Sequence, residues 1–146
     1  GSKDRTAKSV RADRDSIRAA LRQNVAEMLT PRELAAFDDY ESVADQILLE
    51  KTVDSQLGAL ASGLTAENRL LTSQVMAEEL VREFDLYDQT DEIYSVDNFN
   101  QAQARGLQNT LLRLSGTLTE DQLGQVQGFV DQALAMFDVM SDGGGA

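Results

Sequence analysis

An all-α fold, a bundle of five amphipathic helices, follows from three features of the chain. Apolar residues recur at intervals of three and four rather than two. Pro31 is the one proline in 146 residues. The third feature is a repeated phrase, Leu-Thr with an acid or amide close behind. It occurs as Leu29-Thr30-Pro31-Arg32-Glu33, Leu64-Thr65-Ala66-Glu67 and Leu118-Thr119-Glu120-Asp121-Gln122. In each, the threonine hydroxyl can accept from the free amides of a first helical turn, and the acid complements the positive helix end.

The first helix is expected from about Ser9 to Leu29, with Val10, Ile17, Leu21, Val25 and Met28 on one side. Thr30 then caps a second helix. Pro31 sits at its first position, where a missing N–H costs nothing, and Glu33 completes a capping box. Its stripe is Leu34, Phe37, Tyr40, Ala44, Ile47 and Leu48, running on through Val53, Leu57 and Leu60 to about Ser62. A bend near Lys51 is expected, because the apolar phase slips there. Gly63 is read as a C-terminal stop.

Thr65 opens the third helix, striped by Leu70, Leu71, Val75, Leu80, Phe84 and Tyr87. A polar loop follows from Asp88 to Asn98. The fourth helix, from about Asp97 to Leu114, carries Phe99, Ala102, Leu107, Leu111 and Leu114. Thr119 and Gln122 give a second capping box. The fifth helix carries Leu123, Val126, Phe129, Val130, Ala133, Leu134 and Phe137. Residues 1–8 read as a tag remnant, Gly1-Ser2, and a disordered start. Residues 9–140 form one helical domain, and residues 141–146 a flexible tail.

At an offset of 89, Leu34, Phe37, Tyr40, Ala44, Ile47 and Leu48 fall on Leu123, Val126, Phe129, Ala133, Met136 and Phe137. Either a helical hairpin is duplicated, or two helices face one core with the same needs.

Composition removes most chemistry. The chain has no Cys and no His, so it lacks a thiol nucleophile, the commonest general base and the commonest transition-metal ligand. No phosphate-cradling loop or nucleophile turn appears. Asp85, Asp88, Asp91 and Glu92 form an acidic cluster, but Ile93 stands where a calcium loop needs its glycine, so they read as a solvated loop. No catalytic residue, metal ligand or cofactor is assigned, and the chain is read as a non-enzyme. No apolar run approaches the roughly 20 residues that span a bilayer.

The formal charge is −12 and uneven: residues 1–32 carry +4 and residues 33–146 carry −16. Such a body repels nucleic acid and anionic membrane. Against it stands the basic N-terminal helix. Arg11, Arg14, Arg18 and Arg22 are spaced three, four and four, a ridge covering about 80° of the helix. These four are the candidate partner-binding residues. The ridge can meet this chain's own carboxylates, an acidic partner or second copy, or an anionic membrane surface near the N-terminal helix.

The Leu-Thr phrase resembles the LTxxQ signature of bacterial periplasmic helical proteins, the Spy-like chaperones and their stress-sensing relatives. Leu29, Thr30 and Glu33, Leu64 and Thr65, and Leu118, Thr119 and Gln122 carry the likeness. It implies a helical, bacterial, periplasmic or membrane-anchored extracytoplasmic protein, the alternative being cytoplasmic. The family's basic cradle and metal-sensing histidines have no counterpart here. The expected function is a protein-interaction or self-association module of the cell envelope. A periplasmic chaperone or stress sensor and an acidic DNA mimic are the alternatives.

Overall fold

The computed structural model describes residues 5–144, with side chains described as far as Met140. It is an all-α bundle of five helices: α1 Ala7–Ala26, α2 Pro31–Leu60, α3 Ala66–Asp88, α4 Val96–Leu114 and α5 Glu120–Gly144. Among the described residues there is no strand, only one antiparallel bridge between Thr6 and Ile93.

The threonines act as caps. Thr6, Thr30 and Thr65 each accept from the amide three residues on, and Ser95 does so for α4. At Thr30 the box is complete: Glu33 N–H donates to Thr30 Oγ1 at 3.2 Å and Thr30 N–H to Glu33 Oε1 at 2.9 Å. At Thr119 only half forms. Gln122 N–H reaches Thr119 Oγ1 at 3.3 Å, but the Gln122 side chain turns away. Its amide donates to the Gly63 carbonyl at 3.1 Å and accepts from Asn68 Nδ2 at 3.1 Å. The glutamine therefore ties the start of α5 to the α2–α3 connection, where a lone-helix reading put a second box.

α3 is the spine. It packs against α4 along its length and against the second half of α2, while α5 packs on α4. The core is built from Val53, Leu57, Met76, Leu80, Leu107, Leu114, Val126 and Val130, all buried. Between α3 and α4 runs a polar seam. The Glu79 carboxylate, buried, accepts from Arg113 at 2.8 Å and pairs with Arg82 at 3.1 Å. Glu83, also buried, accepts from Arg105 at 3.2 Å and Asn109 at 3.1 Å. A buried carboxylate costs desolvation unless paired, and both are.

Three expectations change. Residues 5–8, expected to be disordered, are docked: Ala7 N–H donates to the Glu92 carbonyl at 2.8 Å, and Tyr94 N–H to the Arg5 carbonyl at 2.7 Å. Ala7 is buried beside Tyr87 and Ala102, so burial and backbone pairing hold the start down. The earlier part of the disordered start, with the tag remnant, lies outside the described residues. Gly63 has no positive φ, so it does not serve as a left-handed cap. A Cβ there would meet only the far end of the exposed Gln125 side chain, at 2.8 Å, which can turn aside. Finally, α5 continues to Gly144, past the Ser141 at which the flexible tail was expected to begin. Residues 145–146 of that tail lie outside the described residues.

Candidate functional site

From Lys8 to Thr52 no residue is buried. This is the whole of α1 beyond its first residue and nearly three-quarters of α2. The two helices form an antiparallel hairpin, the arm, joined through residues 27–30. The expected apolar side of α1 is not covered: Ile17 is 61% exposed, Leu21 59% and Met28 77%. On α2, Tyr40 is 61% exposed and Leu48 68%, with Val43 and Ile47 exposed as well. The slip in apolar phase near Lys51 marks the point where α2 enters the core, at Val53 and Leu57; the helix itself is unbroken.

What joins the two helices is mainly charge. Each arginine of the ridge faces a carboxylate of this same chain. Arg11 Nη1 donates to Asp85 at 3.2 Å and lies 3.5 Å from Asp88. Arg14 Nη2 donates to Asp88 at 3.0 Å. Arg18 lies 3.6 Å from Asp45. Arg22 makes a two-pronged pair with Asp38, at 2.7 and 2.8 Å. Arg11 and Arg14 thus moor α1 to the end of α3, and Arg18 and Arg22 to α2. Of the three arrangements open to the ridge, the intramolecular one is found. Two carboxylates of the acidic cluster, Asp85 and Asp88, have arginine partners. Asp38 and Glu33 are both held below the usual carboxylate range. For Asp38 the cause is hydrogen bonding from Arg22; for Glu33 it is the backbone and hydroxyl of Thr30.

Among the concave surfaces of this layout, three involve the apolar stripes. A cleft of about 490 Å³ lies between α1, mid-α2 and the end of α3, over Leu48 and Phe84. Phe84 stacks on Phe99 at 5.0 Å between ring centres. Arg14, Arg18, Asp45, Asp85 and Asp88 ring this cleft, Arg14 paired with Asp88, Arg18 near Asp45, and Asp85 held by Arg11 from outside it. Tyr87, at its inner end, donates to the Ile93 carbonyl and accepts from Ser95 N–H; burial raises its phenol above the ordinary range. A second, apolar groove of about 360 Å³ lies between α2 and α5, floored by Met76, Leu80 and Leu107. The third, about 510 Å³, is the inner face of the arm, with Leu21, Val25 and Phe37 between Arg18, Arg22 and Glu41.

The charge reading of the sequence located the arginines but not their carboxylates. It also passed over Glu79 and Glu83. Their signal was present: two acids four apart, next to Met76, Leu80 and Phe84 on an otherwise apolar side, facing arginines two turns apart on α4. Among the described residues no group of three or more His, Cys, Asp or Glu is placed to hold a metal, and no helix is long and apolar enough to cross a membrane. No protein-family model matches the chain, and neither a curated protein nor a solved structure is significantly similar to it.

Proposed function

We propose that the chain is a protein-interaction module whose working surface is the arm. One observation carries this reading. From Lys8 to Thr52 the chain keeps apolar stripes at helical spacing and buries none of them. Exposed apolar side chains are common singly, but a contiguous set on paired helices marks a surface that another macromolecule covers. The arm also differs in charge from the rest. Residues 8–52 hold seven Lys/Arg and nine Asp/Glu, net −2, while residues 53–146 hold four and fifteen, net −11. A protein partner can therefore approach the arm without the repulsion that surrounds the body. The Leu-Thr helix starts support a bacterial cell-envelope setting, to be tested by fractionating cells that express the full-length gene product.

The test is site-specific photo-crosslinking in the native host. A photo-reactive residue at Leu21 on the arm should give a discrete protein adduct. The same residue at Gln108, exposed on α4, should give none. Adducts from Gln108 and none from Leu21 would overturn the reading.

A further inference from the structure

The two ends of the chain are related by one offset. α1 begins at Ala7 and α4 at Val96; α2 begins at Pro31 and α5 at Glu120. Both differences are 89, the offset that aligns the stripes of α2 and α5. The caps follow it too, Thr6 with Ser95 and Thr30 with Thr119. Even the docked start obeys it: Tyr94 N–H donates to the carbonyl of Arg5, its own counterpart, across the antiparallel bridge. The α1–α2 and α4–α5 hairpins thus share one register of helix starts and caps.

The second hairpin shows what such a register does with its inner face. In α4–α5 the buried positions include Thr110, Leu114, Leu118, Val126 and Phe129, all closed against the rest of the bundle. Subtracting 89 gives Leu21, Val25, Leu29, Phe37 and Tyr40. All five are apolar, and none is buried. Leu21, Val25 and Phe37 line the open groove of the arm. The arm therefore offers the gripping face of α4–α5 with nothing in its grip.

Charge identifies the occupant. α1 carries five Lys/Arg and two Asp/Glu, net +3; the first part of α2, residues 31–48, carries one and five, net −4. A surface with a positive helix beside a negative one is complementary to itself after a two-fold rotation. Three buried apolar positions of α4–α5 are charged in the arm: Ala102, at the far end by Ala7, becomes Asp13, and two lie at the groove. Leu107 and Val130 become Arg18 and Glu41, one of each sign, both lining the groove. We infer that the arm's groove is closed by the arm of a second copy, α1 of each chain against α2 of the other; Arg18, which at 3.6 Å from its own Asp45 makes no hydrogen bond, unlike the other three arginines of the ridge, faces Glu41 of the second copy. This rests on the arm being a protein-binding surface, and it names the partner.

The test is sedimentation equilibrium over a concentration series, with charge variants. The native protein should dimerise. Arg18→Glu and Glu41→Arg should each weaken the homodimer about tenfold or more, by placing like charges across the interface. An equimolar mixture of the two variants should associate about as tightly as the native protein, since each then meets its opposite in the other chain. Both positions are exposed, and unchanged circular dichroism shows that the variants fold. A native protein that stays monomeric to about 100 µM overturns the inference. So does a mixture no tighter than its components. A monomer whose Leu21 still crosslinks to a different protein would sink the second-copy inference alone. A monomer with no arm adduct would sink the module reading as well.

Discussion

Gly106 sits where α4 crosses α3. A Cβ there would meet Leu80 Cδ2 at 2.8 Å and the Leu80 backbone Cα at 3.2 Å. The leucine tip can turn aside; the backbone cannot. Gly106→Ala should force the two helices apart and destabilise the fold by about 1–3 kcal/mol despite alanine's better helix propensity, as urea unfolding would show. Glu33 makes a second residue-scale case. Its carboxylate caps the start of α2 in ionised form, with its pKa lowered. A lowered folded pKa contributes stability above the unfolded pKa, and that contribution is lost as pH falls through the folded one. Acidification through and below the ordinary carboxylate range should therefore lower the protection of the Leu34 amide relative to its intrinsic exchange rate at each pH. Glu33→Gln keeps an acceptor but does not titrate, so the pH dependence assignable to this site should flatten. At this scale the caps were legible in the sequence, because a cap is a local bargain between a side chain and amides two or three residues away. Gly106 and Gln122 were not, because their partners lie 26 and 59 positions off in the chain.

Among elements, α1 and α3 illustrate two ways of being a helix. α3 has apolar residues on several sides and buries Thr72, Val75, Met76, Ala77 and Leu80. α1 has one stripe, buries only Ala7 and is moored by ion pairs. Exposed pairs of this kind contribute roughly 0–1 kcal/mol each and are screened by salt. Spin labels at Gln23 and Asp39 should consequently report a broader distance distribution as ionic strength rises in the dilute protein. Labels at Gln74 and Gln108, across α3 and α4, should report no change. A distribution between α1 and α2 as narrow and salt-independent as that between α3 and α4 would mean the arm is held by packing. Helix number, order and type were all readable from periodicity. Which stripes are covered was not, because a stripe records that a helix face is apolar and says nothing of what lies against it. The matched stripes of α2 and α5 show the gap: Val126 and Phe129 are buried, whereas their counterparts Phe37 and Tyr40 are not.

At the scale of the whole molecule, the chain divides into a body with a core and an arm without one. The sequence hinted at this only through charge, in the contrast between a basic start and an acidic remainder. The boundary in the structure falls elsewhere, near Thr52 in the middle of α2, because it is set by where α3 begins to cover α2. Native-state hydrogen exchange tests this division most directly. In the dilute protein, amides of α1 and of α2 up to Thr52 should exchange about a hundredfold or more faster than those of α3 from Val75 to Tyr87, and should slow as the protein is concentrated. Arm amides as protected in the dilute protein as those of α3, with no response to concentration, would contradict the account.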